Sequence, residues 1–220
     1  MKKRSHLFRF LQALMLLAAG LALFACTRTV TVAVPPRVDL RLFPTIGVID
    51  FSAQPSGDLE QVATRIFLGN LQAAQPGVRL LELGSRDKVL LEIGSRELDF
   101  QAIRAIGARY GVEAVLSGAV ELSEPRPDLK LSPSLTSLSA QARIDGKMNA
   151  KLWEAASGAT VWTNSSWGNW SIGGVNISNG GAASAGFRHP REKRDEIVLE
   201  LVRALNGDFW PTYEKRRLEK

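Results

Sequence analysis

Few side chains in this 220-residue chain can do covalent or acid–base chemistry: one cysteine, Cys26, and two histidines, His6 and His189. A lone thiol can be acylated, act as a nucleophile or sit in a core, but it closes no disulfide within the chain. His6 lies in an N-terminal leader, so the processed chain cannot assemble a Cys/His pair or a multi-histidine metal site. A Ser-His-Asp triad would have to use His189, a loop residue beside Pro190. Asp50 ends an apolar run, where active-site carboxylates occur, yet capping the next turn accounts for it. Gly173-Gly174 and Gly180-Gly181 lack the strand before and helix after that a phosphate loop needs. Arg188, Arg191, Lys193 and Arg194 read as a solvated helix start, or else as a contact for anionic headgroups. This inventory points to binding without turnover: not an enzyme, and no metal or cofactor site.

The leader explains the thiol. Lys2, Lys3, Arg4 and Arg9 precede an almost wholly apolar run from Leu11 to Phe24, the layout of an export signal and too short for a mature membrane span. Leu23-Phe24-Ala25-Cys26 resembles the lipobox of bacterial lipoproteins. That resemblance implies cleavage between Ala25 and Cys26 and acylation of Cys26 with chains such as palmitate. At about 0.8 kcal/mol per buried methylene, three chains would hold the protein on a membrane. Thr27 and Arg28 follow, without the aspartate that marks inner-membrane retention in the enterobacterial sorting rule. The location implied is the periplasmic face of an outer membrane.

Of 28 Lys and Arg against 22 Asp and Glu, four bases and no acids lie before Cys26, leaving 24 against 22. The basic balance is therefore mostly leader, and no nucleic-acid partner is implied. About 195 residues remain, enough for a single cored domain. The division read from the sequence is signal peptide 1–25, acylated cysteine and extended tether 26–43, and one domain over 44–220. The 17 residues from Thr27 to Phe43 would reach at most about 56 Å.

Periodicity then gives the elements that would position any site. Thr45 to Phe51 is a continuous apolar strand. Leu59, Val62, Ala63, Ile66 and Leu71 fall at helical spacing, with Asp58 placed to cap and Pro76-Gly77 beyond the end. Val78 to Leu83 is a strand, and Ser85 to Gly94 bounds a short helix. Asp99 caps a helix with Phe100, Ile103, Ile106 and Tyr110 inward, and Gly111 stops it before a strand over Ala114 to Val120. Arg143 to Trp153 alternates with Ile144, Met148, Ala150 and Leu152 inward, turning back through Ala155–Gly158 into Ala159 to Thr163. Arg191 to Leu205 carries the stripe Ile197, Val198, Leu201, Val202 and Leu205, and a basic tail ends the chain. The class is α/β (α+β): a mixed sheet of about five strands in the order β-α-β-α-α-β-β-β-α, helices packed on it, with a Gly/Trp-rich extension between the last strand and the C-terminal helix.

Four tracts carry a resemblance: Ile46 to Phe51; Leu80 to Val89; the passage Ala105 to Gly118 (AIGARYGVEAVLSG); and the hairpin Lys151 to Trp162 (KLWEAASGATVW). They resemble the curli-secretion, CsgG-like lipoproteins and their relatives, the TolB N-terminal domain and the LpoB and PelC lipoproteins. The resemblance implies a non-enzymatic component of a secretion or surface-assembly apparatus, forming a homo-oligomeric ring and meeting other envelope proteins. The alternative it leaves open is an LpoB-like adaptor that activates a peptidoglycan synthase or another envelope enzyme. Secretion channels of this family project membrane hairpins from two segments, here Glu121 to Gln141 and Asn164 to Pro190. Pro125, Pro127, Pro133, Glu124, Arg126, Asp128 and Lys130 in the first argue against lipid-facing strands. So does broken parity in the second, where Trp167, Val175 and Ile177 are odd while Trp170 and Ile172 are even. A soluble ring or monomeric adaptor is expected over a pore, with Trp167, Trp170, Ile172, Val175 and Ile177 as the assembly or membrane contacts.

Replacing Cys26 by Ser should abolish membrane retention and leave an uncleaved or soluble product. Membrane fractionation with intact-mass measurement checks this, and equal membrane yield of correctly processed variant would refute it.

Overall fold

The computed structural model describes residues 29–131, 137–178, 183–187 and 190–217; Ala25, Cys26 and His189 lie outside them. In chain order the described elements are β1 (Thr29–Val34), β2 (Ile46–Ile49), β3 (Ser52–Gln54), α1 (Asp58–Ala74), β4 (Leu80–Gly84), α2 (Arg86–Ile93), α3 (Phe100–Tyr110), β5 (Ala114–Leu122), β6 (Arg126–Leu131), β7 (Ser137–Glu154), β8 (Thr160–Ser178), β9 (Ala183–Phe187), α4 (Pro190–Leu205) and β10 (Thr212–Arg217). They fall into two compact units, Pro36–Trp210 and the pair Met1–Pro35 with Pro211–Lys220.

The larger unit is built on a mixed sheet of eight strands in the order β4-β2-β5-β7-β8-β9, with β3 also on β5 and β6 also on β7. β2 lies parallel to β4 and β5 and β3 parallel to β5, while the pairings among β5, β6, β7, β8 and β9 are antiparallel. The expected order holds. The sheet is wider than five strands because short β3, β6 and β9, whose sequences carry no strong strand signal, pair onto long neighbours.

One sheet face is covered by α1 and α4. Leu59, Ala63, Phe67 and Leu71 of α1, with Ile197, Val198, Leu201, Val202 and Leu205 of α4, bury Ile46, Val48, Leu116, Val120, Met148, Ala150 and Leu152. On the other face, α2 and α3 cover β2, β4 and β5 through Val89, Ile103 and Ile106 against Ile49, Leu83 and Val115. All four residues of β2 are buried, as a parallel strand with helices on both sides requires.

Caps follow the sequence closely. The Ser85 side chain accepts from Lys88 N and that of Asp99 from Ala102 N, while Gly94 and Gly111 take the left-handed conformation at their helix ends. Two expectations change. Gly57 is the N-cap of α1, and Asp58, already inside the helix, accepts a two-pronged contact from Arg194 of α4 at 2.7 and 2.8 Å. That contact raises the guanidinium's affinity for its proton above the ordinary value. Phe100 is 56% exposed, not inward: it begins α3 and lies against Gly158 of the β7–β8 turn.

The stretch read as a bare tether is more structured. Thr29 to Val34 is extended but paired as β1, and Leu40 enters the main core at 1% exposure. Gln75, just past α1, fixes that segment: its Oε1 accepts from Leu40 N, and its Nε2 donates to the carbonyls of Val38 and Phe209. Asp39 caps the short turn after it and bonds Arg41, which holds its carboxyl below the usual range. In the smaller unit, the basic tail, for which no element was expected, forms β10, antiparallel to β1.

Phe51 crosses over Gly118 of β5 to meet Phe67 with ring centroids 4.9 Å apart. A Cβ at Gly118 would overlap the Phe51 ring and lie 2.5 Å from the Asn149 carbonyl oxygen. Gly118→Ala should therefore cost about 1–3 kcal/mol, a fall of roughly 3–10 °C in melting temperature. An unchanged thermal melt would contradict this packing.

Candidate functional site

Where helices stop covering the sheet, the chain does something its length did not require. The β7–β8 hairpin runs past the end of β5, and there β6 takes over the vacated edge of β7 while β9 joins β8. The outcome is a four-stranded antiparallel ribbon.

Register alone sorts its residues. Leu129–Ala140–Val175–Ala185 form one cross-strand row and Leu131–Leu138–Ile177–Ala183 another, with Pro127–Ala142–Gly173–Phe187 nearest the root. The intervening rows are polar or glycine: Arg126–Arg143–Ser171, Asp128–Gln141–Gly174–Gly186 and Lys130–Ser139–Asn176–Ser184. One set of alternate positions is thus wholly apolar and the other polar, the period-2 signature of a sheet with unlike faces.

The broken parity of the Trp-rich segment is a β-bulge. Arg143 pairs Ser171 and Ala142 pairs Gly173, so Ile172 is the extra residue and every later position of β8 changes side. Even positions up to Trp170 share a register side with Gly173, Val175 and Ile177. The parity argument against a two-faced strand is corrected on this ground. The charge argument weakens too, because Arg126, Asp128 and Lys130 all sit in polar rows, and Pro127 occupies a strand paired on one side only.

At the root, the two tryptophans part company. Trp170 is half-buried against the main core, with its Nε1 donating to Glu200 of α4. The same side of β8 gives Trp162, 6% exposed and bonded through Nε1 to Asp208 at 3.0 Å, and Ser166, whose Oγ donates to Leu201 O. Trp167 stands on the opposite side, 84% exposed, where no helix covers β7 and β8. It ends a cross-strand row, Gln54–Glu121–Lys147–Trp167, spanning β3, β5, β7 and β8. These residues line a groove of about 490 Å³ with Ser123, Asp145 and Asn169. Asn169 Nδ2 donates to Asp145 Oδ1 at 2.6 Å, Arg126 lies 3.7 Å from the same carboxylate, and Ser123 Oγ accepts from Asp145 N. Farther along the same side of β7, Lys151 sits 5.0 Å over the ring of Trp153, which packs against the core under α2 and α3.

Of the residues singled out from sequence, Trp167 and Trp170 lie at the root and Ile172, Val175 and Ile177 in the ribbon; Cys26 and His189 are outside the described residues. Asp50 donates its backbone N–H to Gly84 O and borders two clefts, of about 620 and 140 Å³, beside α1 and α2. Among the described residues no group of three His, Cys, Asp or Glu could hold a metal ion, and no helix is long and apolar enough to cross a membrane. Sequence reading missed Leu129, Leu131, Leu138, Ala140 and Ala142. The signal was present, because the even-position alternation seen at 144–152 continues unbroken down to Leu138.

No protein-family model matches this sequence, nor does any curated protein. Among solved structures the chain is similar to the PelC dodecamer from Paraburkholderia phytofirmans, at 14% identity over 83% of this chain and 97% of that one, with a TM-score of 0.42. It is similar also to lipoprotein GNA1162 from Neisseria meningitidis, at 14% identity, 73% and 96% coverage and a TM-score of 0.34. The LpoB C-terminal domain from Escherichia coli is a further likeness, at 14% identity, 57% and 82% coverage and a TM-score of 0.33.

The two tryptophans should respond oppositely to truncation. Trp170→Ala should cost about 2 kcal/mol, roughly half that of deleting a fully buried aromatic, while Trp167→Ala should stay within about 0.5 kcal/mol of the parent. Chemical denaturation of both variants checks this; equal losses would contradict the split.

Proposed function

We propose that this chain is a non-enzymatic, lipid-anchored protein of the bacterial envelope that assembles head to tail into a ring, as part of a secretion or surface-assembly apparatus. The observation that carries the reading is the two-faced ribbon of β6, β7, β8 and β9. Each outer strand is paired on one side only among the described residues, and an open edge of that kind is satisfied by another strand. The four strands alternate in direction, so β6 of one copy can continue the antiparallel order beside β9 of the next. A head-to-tail contact that closes makes a ring. Closure would leave no open backbone edge, the condition for strands to meet lipid. The apolar rows would then face the acyl layer and the polar rows the lumen. The seven β7 positions from Ser137 to Arg143 rise about 23 Å untilted, close to the roughly 25 Å apolar band of strand-built membrane proteins. Trp167 beside the root suits the water interface of such a band, where tryptophan gathers.

The test uses the lack of any thiol besides Cys26, which acylation takes out of disulfide exchange. Lys130→Cys with Ser184→Cys places one thiol at each outer edge of the same cross-strand row. Oxidation in detergent extract should yield a ladder of covalent multimers, with each single variant halting at dimers at most. A double variant that stays monomeric, beside a parent that sediments as a monomer, would overturn the ring and favour the adaptor reading.

A further inference from the structure

The smaller unit carries a charge gradient that nothing in the assembly reading uses. β1 reads Thr-Val-Thr-Val-Ala-Val and is uncharged, whereas β10 reads Thr-Tyr-Glu-Lys-Arg-Arg. Their register is antiparallel and unbroken: Val34 pairs Thr212, Ala33 pairs Tyr213, Thr31 pairs Lys215, Val30 pairs Arg216 and Thr29 pairs Arg217. The bases therefore collect at the Thr29 end of the ribbon, and the neutral residues at the other. Glu214, the one acid in β10, lies 3.4 Å from Arg216. Tyr213 and Lys215, both exposed, hold alternate positions of the strand, with Glu214 and Arg216, also exposed, at the positions between and beyond them.

Thr29 follows Cys26 by three residues, at most about 10 Å of chain. We infer that the β1–β10 ribbon is a headgroup-binding element, presenting Lys215, Arg216 and Arg217 to anionic phospholipid headgroups of the leaflet that holds the acyl chains. The inference rests on the lipid-anchor reading for the identity of the surface. Fully extended, the residues from Cys26 to Thr29 reach a little beyond one Debye length, about 8 Å at physiological ionic strength, so Arg217, paired with Thr29, is the base held nearest the anionic surface and the attraction falls as salt rises. A C-terminal tail left unpaired would place the same three charges anywhere within its reach. Pairing with β1 fixes them beside the anchor, so anchor and bases supply the two signals that stable, surface-selective attachment uses. An aromatic beside bases is also the composition of a water–headgroup boundary.

The probe is the full chain from residue 26 carrying Cys26→Ser, which removes the acyl contribution, and vesicles of phosphatidylcholine with and without phosphatidylglycerol. Binding should appear only with phosphatidylglycerol and be lost at high salt. Each base is worth about fivefold in partition, so Lys215→Gln/Arg216→Gln/Arg217→Gln should weaken binding on the order of a hundredfold. A thermal melt equal to the parent's checks that the three substitutions leave the fold unchanged. Equal binding to neutral vesicles, or equal binding by parent and triple variant, would overturn the proposal. Acylation of Cys26 is read separately by intact mass of the parent purified from membranes. An unmodified cysteine with intact vesicle binding would sink the anchor reading alone, and acylation without anionic preference would sink this one alone.

Discussion

One extra residue, Ile172, sets the character of everything beyond the helices. β7 keeps a single parity along its whole length, from Leu152 in the core down to Leu138 in the ribbon. β8 cannot match it without the bulge, because its buried positions are even up to Trp170 while its ribbon positions Val175 and Ile177 are odd. Inserting one unpaired residue brings the two strands back into agreement, so the apolar side of the ribbon continues the side buried under α1 and α4. A hairpin of the same length without the bulge would mix apolar and polar positions in every row beyond Arg143.

Helix coverage explains the rest of the surface. α2 and α3 cover the second face from β4 to β5 and meet β7 and its turn only at Trp153, Ala155 and Gly158, which leaves the rest of that face of β7 and β8 without a helix and Trp167 exposed on it. The covered face is held from both ends of the chain. Arg194 ties α4 to the first residue of α1, and Gln75 at the other end of α1 takes up backbone groups from residues 38, 40 and 209. Each of these polar contacts joins segments far apart in sequence, and the Gln75 side chain, nearly fully buried, spends its hydrogen bonds on backbone groups that would otherwise be unpaired.

What could be read from the sequence is what depends on local chemistry. Ser85, Asp99, Gly94 and Gly111 bound their helices because capping is decided within a few residues, and the stripe from Ile197 to Leu205 announced its face through a period of 3.6. What could not be read depends on partners distant in sequence. β10 is a strand because β1 lies beside it, and nothing in Lys215-Arg216-Arg217 says so. Asp58 has the composition of a cap, but Arg194 draws it into an ion pair instead. The ribbon was hidden differently: its alternation was visible in β7, yet one bulge scrambled it in β8, and simple parity cannot survive an insertion.

Gln75 also bears on when this protein can fold. Its side chain joins Leu40 to Phe209, and the core between them is sealed by Ile197, Val198, Leu201 and Leu205. A chain that emerges N-terminus first from a ribosome has β2, α1 and β5 available long before α4 appears. Until then Leu59, Phe67 and Met148 have no lid, and Gln75 has one of its three partners missing. Completion therefore waits for α4 and Phe209, a late, non-local closure of the kind that slows folding.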